Sequence, residues 1–475
     1  MALGKRRQQK QKDLFIPATA MRRSPGHPFY ERLNKLLREA DFDATLEALC
    51  APHYSKRRGR PSIPPGVYFR MLLVGYFEGI DSQRGIAWRC ADSRSLQEFL
   101  GLGPTERTPD HSSLTRVRQR LPLEIHQEAF ALVVRVATTK GLVKGKTLAV
   151  DATTLEANAA MKAIVRRDTG EDWNAYVRGL AEDAGLEDPS DDDLRRFDRK
   201  RRGKKTSNKE WKSPTDPEAR ITKMKDGRTR LGYKAQHAID ADTEIIVAAT
   251  VHQADESDGE IMKDAVMEMA GVAASAGTDR YEEVVADKGY HKTETLAWLR
   301  ERGLRSYVSE PRSRQKRRWL DKPDGWEEAY RGNRRRARGK RSRALHRLRS
   351  ERVERSFAHT CRTGRARRTW LRGVDNIAKR YLIQVAARNL GTIMRAMFGI
   401  GTPRGLQGAL RGALGLLRAF VAIVGRLMRP LGTDAMVATN LTAARSSTSI
   451  WLSCWALVLL RKCLGPPRPA FSTAC

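Results

Sequence analysis

Apolar residues follow two periods along this chain, one helical and one extended. Between residues 64 and 140, Tyr68, Met71, Leu72, Gly75 and Tyr76 recur at helical spacing, and Ile86, Trp88, Leu96, Phe99 and Leu100 continue the apolar pattern. This spacing predicts helices. Asp81-Ser82 and Asp92-Ser93 interrupt the pattern and read as N-caps. Asp110-His111-Ser112-Ser113 then leads into Leu114, Val117 and Leu121, with Arg116, Arg118 and Arg120 interleaved. The result is a small helical bundle with a basic helix. A dimerisation bundle and a helix-turn-helix that meets DNA both fit it. From residue 146 the pattern changes. Thr147 to Val150, Gly232 to Ile239, Glu244 to Val251, Glu282 to Ala286 and Ser306 to Ser309 read as strands. Glu260 to Val272, Thr293 to Glu301 and about Arg347 to Ala396 read as helices, so the central region is an α/β core.

Four regions follow from the pattern. Residues 1–60 form a basic N-terminal arm ending in Lys56-Arg57-Arg58-Gly59-Arg60-Pro61, either a solubilising tail or an arm that follows phosphates. Residues 61–140 form an all-α, DNA-binding region. Residues 141–400 form the α/β domain, with insertions near 158–230 and 312–350. Residues 401–475 form a tail of shifted composition, read as disordered or as a non-native extension. Leu406 to Met428 carries Arg411, Arg418 and Arg426, and Ile450 to Leu460 is too short to cross a bilayer, so no membrane partner is expected.

Charge changes the picture most. The chain of 475 residues carries 89 Lys and Arg against 55 Asp and Glu, a formal net charge of +34. Such an excess points to a polyanion as partner, because a phosphate backbone releases condensed counterions when it is neutralised. The runs Arg334-Arg335-Arg336 and Arg338-Gly339-Lys340-Arg341 are expected to stay mobile until they meet DNA. The six cysteines form no CxxC pair, which argues against zinc and disulfides and for a reducing cytoplasm. No GxxxxGK[ST] phosphate loop is present.

Three acids stand where chemistry needs them. Asp151 ends the apolar run Leu148-Ala149-Val150, and Asp287 repeats the device after Val284-Val285-Ala286. A carboxylate at the end of a buried strand is costly unless it is paired or ligates a metal. Glu354 lies beside the apolar positions Val353 and Phe357 of a helix. Singly, each has a plain structural reading as a turn cap or a surface ion pair. Glu351, three residues earlier, projects from nearly the same face and is a rival to Glu354.

Taken together, the order of the acids and their contexts Ala149-Val150-Asp151-Ala152-Thr153, Ala286-Asp287-Lys288-Gly289-Tyr290 and Val353-Glu354-Arg355-Ser356-Phe357 resemble bacterial insertion-sequence transposases of the DDE type. So do Thr215-Asp216-Pro217-Glu218-Ala219-Arg220, Gly232-Tyr233-Lys234-Ala235-Gln236 and the stretch from Met394 to Gln407. The resemblance implies an RNase H-like mixed sheet with flanking helices, the first Asp on the first strand, the second just after the fourth, and the Glu on a later helix. It implies Asp151, Asp287 and Glu354 as catalytic ligands of two Mg2+ or Mn2+ ions, which suit oxygen donors and serve in-line phosphoryl displacement. It also implies cleavage at the terminal inverted repeats of a mobile element and strand transfer into double-stranded target DNA. A homodimer or higher oligomer on DNA and association with the bacterial nucleoid follow. Lys288 and His291 are candidate phosphate contacts. Relatives carry Tyr, Arg and Lys around the Glu where this chain has Arg347, Ser350 and Cys361, so Arg349, Arg352 and Arg355 are expected to supply that charge. The alternatives are a DNA-binding protein that has lost catalysis and an RNase H-like nuclease acting in repair or on RNA.

Overall fold

The computed structural model describes residues 26–55, 62–103, 106–201, 207–224, 226–276, 281–312 and 318–405. The expected tail beyond residue 405, the run at 56–61 and part of the basic stretch at 199–205 lie outside the described residues.

Seven helices come first: α1 (Pro28–Glu39), α2 (Phe42–Cys50), α3 (Pro65–Glu78), α4 (Gln83–Ala91), α5 (Arg94–Phe99), α6 (His111–Arg120) and α7 (Leu123–Thr139). The expected caps are present. Ser82 accepts from the Gly85 N–H at 3.0 Å, Ser93 from Leu96 at 3.3 Å and Asp110 from Ser113 at 2.9 Å. The chain differs from expectation before residue 60. Residues 28–50 are not part of an arm but two packed helices, because Phe29, Tyr30, Leu33, Leu36 and Leu37 form a buried stripe on α1. Their spacing is helical and their burial outweighs the charge of the opposite face. These helices share one hydrophobic core with the strands that follow.

Next come β1 (Thr147–Glu156), β2 (Val165–Arg166), α8 (Trp173–Asp183), α9 (Asp191–Lys200), β3 (Trp211–Lys212), β4 (Arg220–Lys223), β5 (Thr229–Asp240), β6 (Ile246–Gln253), α10 (Asp258–Ala276), β7 (Glu283–Ala286), α11 (Thr293–Glu301), β8 (Arg305–Val308), α12 (Trp326–Ala337), α13 (Lys340–Ala358) and α14 (Val374–Phe398). Six strands form one mixed sheet in the order β4-β5-β1-β7-β8, with β6 also on β5. The pairs β1–β5, β5–β6 and β4–β5 are antiparallel, whereas β1–β7 and β7–β8 are parallel. Strands β2 and β3 pair separately, with Trp211 of β3 against Trp173 and Tyr176 of α8.

Side-chain parity assigns the two faces of the sheet. Asp151 and its cross-strand partner His237 share the face covered by α13 and α14. Lys234 and Gln236 point the other way, toward α10 and Tyr290. Helices α11 and α12 pack on the β8 edge.

The stretch 312–350 was expected to be a mobile basic insertion; its described part is instead a layer of the fold. Asn333 of α12 is fully buried. Its Oδ1 accepts from the Val308 N–H and its Nδ2 donates to the Val308 carbonyl, both at 2.9 Å. Asn389 of α14 clamps Ile246 in the same way, at 3.0 and 2.7 Å. Each asparagine satisfies both backbone groups of a buried strand residue, a stronger tie than the like charges around it oppose. The helical stretch expected over 347–396 is divided by a π turn at His359–Thr363 and a non-helical segment at 364–373, whose last residue, Gly373 with φ of +81°, caps the start of α14.

The family-like stretches have structural work in this fold. Asp216 accepts from the Tyr233 hydroxyl at 2.7 Å and from the Gly373 N–H at 3.2 Å. Glu218 accepts from the Val374 N–H at 2.6 Å, at the start of α14. They therefore pin α14 to β5, with a carboxylate at a helix N-terminus where the dipole favours it.

Candidate active site

Asp151 does not end its strand. β1 runs on to Glu156 because β5 pairs with it as far as Glu156–Gly232, while β7 stops earlier. The last β1–β7 pair is Ala149–Val285, and two residues further along each strand stand Asp151 and Asp287. Parallel register thus brings the two aspartates side by side at one end of the sheet.

Both are held. The Asp151 Oδ1 accepts from the Ala152 N–H at 2.8 Å, and Arg349 of α13 donates to Oδ2 at 2.7 Å. Asp287 caps the short turn Lys288–Tyr290, its Oδ1 accepting from the Gly289 N–H at 2.8 Å. Burial raises the Asp151 carboxyl above its ordinary range; the Asp287 charge adds to this, and Arg349 and the Ala152 N–H oppose it. Burial likewise holds the Tyr290 phenol well above its usual value, and Asp151, Asp258 and Asp287 reinforce the shift.

Asp258, at the start of α10, has no sequence motif to announce it. It pairs with Lys234 at 2.9 Å and flanks the same turn as Asp287. A Cβ at Gly289 would stand 2.5 Å from the Asp258 Oδ2 and 3.1 Å from the Asp287 Oδ1, so a side chain there would push the Asp258 carboxylate aside. The acidic stretch Asp255-Glu256-Ser257-Asp258 was the available signal, but it reads equally as a helix start.

Glu354 is not brought to the pair. It is exposed on α13, and its Oε1 accepts from Ser350 at 3.3 Å. Val353, Ser356 and Phe357 are buried and define the sheet-facing stripe, and Glu354 sits about 100° around the helix from Val353. Glu351 is ion-paired with Arg355 at 2.5 Å. Among the described residues, no three His, Cys, Asp or Glu side chains form a ready metal cage. Of the three arginines expected to supply charge, Arg349 alone meets an aspartate of the pair. Arg352 donates to the Ala241 carbonyl and Arg355 pairs with Glu244, both at the β5–β6 turn.

The remaining candidates divide. Lys288 is exposed next to Asp287, whereas His291 is buried edge-to-face against Tyr330. Arg116 and Arg120 are exposed on α6, with Arg120 over the Tyr54 ring; Arg118 is half-buried. Arg334, Arg335, Arg336 and Arg338 lie toward the C-terminal end of α12, which runs antiparallel to β8. Tyr330 meets Glu310, Asn333 meets Val308 and Arg336 meets Ser306. Arg336 is therefore set back from the aspartates, toward the other end of β8, whereas Arg334 pairs with Glu310 at 3.3 Å, just past β8 on the aspartate side.

Comparison with known families agrees with this architecture. A family described as a transposase domain (DUF772) matches residues 18–120, and one described as a transposase DDE domain matches residues 143–390, more than half of the chain. No characterised protein and no solved structure matches it. Among the described residues, no helix is long and apolar enough to cross a membrane. The chain belongs to the insertion-sequence transposases of the DDE family.

Proposed function

We propose that this transposase cuts DNA at the terminal inverted repeats of a mobile element and joins the freed ends to target DNA, at a site centred on Asp151 and Asp287. The observation that carries the reading is the register that sets these two carboxylates side by side. Setting aside β4, an edge strand that pairs with β5 alone, the order β1, β5, β6, β7, β8 puts Asp151 on the first strand and Asp287 just after the fourth. That placement is the one an RNase H-like core would give and supports the reading.

The donor set fits a hard divalent cation. Burial and the neighbouring Asp287 charge disfavour the Asp151 carboxylate, a cost that a cation between the two would remove. Asp151 and Asp287 would hold magnesium or manganese; the family motif implies Glu354 as the third ligand, and in this structure Glu354 is exposed on α13 and bonded to Ser350, so it would have to turn toward the pair to serve. Such an ion, when bound, polarises the phosphate and lowers the pKa of a coordinated hydroxyl.

The chain's own groups prepare the site. The Ala152 N–H and Arg349 orient both oxygens of Asp151, and the Gly289 N–H orients Asp287. Lys288 presents an ammonium to a phosphate near the pair. Tyr290 stays protonated in the field of three aspartates and serves as a fixed hydroxyl that accepts from Gln236 at 3.3 Å, not as a base. The exposed arginines of α6 add phosphate contacts.

The experiment is incubation of the purified chain with a plasmid carrying the element and its flanking repeats, with and without magnesium. Nicks at the element ends and joined products support the proposal. DNA binding without any cut in magnesium or manganese would favour the DNA-binding protein without catalysis, and cutting of RNA alone would favour a nuclease.

A further inference from the structure

The arginines of α12 do more than add charge. With the end of α11 and the start of β8 they line a groove of about 870 Å³. Seven arginines, among them Arg300, Arg305, Arg335, Arg336 and Arg338, line it against one carboxylate, that of Glu328. Four are paired: Arg300 with Glu328, Arg305 with Glu282 at 2.5 Å, Arg331 with Glu327 at 2.5 Å and Arg334 with Glu310 at 3.3 Å. Arg335 and Arg338 are exposed and pair with no carboxylate among the described residues. Arg336 is fixed, its Nε donating to the Ser306 carbonyl at 2.9 Å and its Nη2 to the Ser306 hydroxyl at 3.1 Å. Burial and the adjacent Arg335, Arg305 and Arg300 pull its pKa below the usual guanidinium value. A cluster of like charges held in place in this way is relieved by an anion.

Position separates this groove from the aspartates. Glu283 pairs with Arg305 at the entry of β7 and β8, and Asp287 lies four residues beyond Glu283. At about 3.3 Å per residue that is roughly 13 Å along the strands, before the sideways step to β8 is added. The phosphate seated at the aspartates is therefore not the one that meets the guanidinium of Arg338.

The lining says which polyanion fits. Among the described residues it holds no aromatic side chain on which a base could stack. Single-stranded nucleic acid and nucleotides are held largely through such stacking. The unpaired Arg335 and the C-cap Arg338 lie about one turn apart at the end of α12, roughly 5 Å along its axis, as suits neighbouring phosphates of a backbone.

We propose that the arginine groove is a second, sequence-independent site for duplex DNA, holding the target duplex while the element end occupies the aspartates. The assignment to target DNA rests on the transposition reading; the separateness of the groove does not.

The test uses the full chain carrying Arg335→Glu and Arg338→Glu, with the Lys pair at the same positions as the charge-conserving control. Binding of a labelled duplex without element sequence is measured against salt by fluorescence anisotropy. The expected result is at least a tenfold loss of affinity at 0.1 M salt and a fall of about 1.8 in the slope of log K against log salt, from two lost phosphate contacts. The Lys pair should restore most of both. A saturating element-end duplex should not displace the second duplex from the wild-type chain. End nicking should stay within twofold while joining to a supplied target falls at least tenfold. An unchanged slope, displacement by the end duplex, or equal loss of nicking and joining would each overturn the groove as a separate site. So would loss of single-strand or nucleotide binding with duplex binding intact. A wild-type chain that cuts nothing would instead sink the transposition reading, and the anisotropy arms would still judge the groove.

Discussion

Asn333→Leu tests whether the arginine-rich helix is part of the folded layer. Leucine keeps the volume but cannot make either bond to Val308, whose N–H and carbonyl are then left facing an apolar side chain. An unsatisfied buried backbone group costs about 1–3 kcal/mol, so the pair costs about 2–6 kcal/mol. The loss falls on the β8–α12 contact, so the opened state of α12 gains population. At the lower limit of about 2 kcal/mol the gain is about 30-fold, since each 1.4 kcal/mol is a factor of ten. The assay is limited trypsin digestion under native conditions, with fragments mapped by mass. The α12–α13 junction offers Arg334, Arg335, Arg336, Arg338, Lys340 and Arg341 as cleavage sites. When reclosing is faster than cutting, the rate follows the opened population. Cleavage in this run should accelerate about 30-fold or more. A rate within threefold of wild type would refute the clamp, and with it the rigid groove.

Other consequences can be measured with single substitutions. Arg349→Met removes the group that holds the Asp151 carboxyl down against burial, so its pKa rises and the acidic limb of the cleavage–pH profile moves to higher pH; an unmoved limb would show that Arg349 does not tune Asp151. His126 is buried, shares a hydrogen bond with Tyr68 at 3.0 Å, and has its pKa lowered from 6.5 to about 4, chiefly by burial. The unfolded chain therefore binds this proton first, and stability is lost as pH falls from 6.5 through about 4, by about 3.5 kcal/mol at about 1.4 kcal/mol per pH unit; urea titrations should show this slope reduced in His126→Gln. For the third acid, Glu354→Gln should eliminate cleavage while Glu351→Gln and Asp258→Asn each cost less than about tenfold. Loss of cleavage in Asp258→Asn alone would transfer the role to the acid that the fold places next to Asp287.

The central sheet was legible because its strands are short apolar runs at 147–150, 232–239 and 282–286, bounded by polar turns. The caps at Ser82 and Ser93 were legible because their hydrogen bonds are local. What escaped depends on contacts distant in sequence. On α1, Glu31, Arg32, Lys35, Arg38 and Glu39 hid the stripe of Phe29, Leu33, Leu36 and Leu37, although its spacing was there to read. Nothing in the run Asn333-Arg334-Arg335-Arg336 reveals that its one uncharged residue binds β8. Arg349, Arg352 and Arg355 look equivalent, but steps of three residues rotate about 60° short of a full turn. Arg349 therefore faces Asp151 while the next two swing to the β5–β6 turn. The pairing of Asp151 with Asp287 was expected from the family order, but its cause is the parallel register of β1 and β7, which no local pattern encodes.

The most direct test of the account separates binding from cutting at that pair. Asp151→Asn and Asp287→Asn are compared with wild type for affinity to element-end DNA and for release of nicked ends in magnesium and in manganese. Each substitution removes a carboxylate oxygen without changing the strand or turn that carries it. If the aspartate pair is the cutting site, both variants bind the end DNA within about twofold of wild type and release no nicked ends in either metal. Cleavage near the wild-type rate in either variant would contradict it.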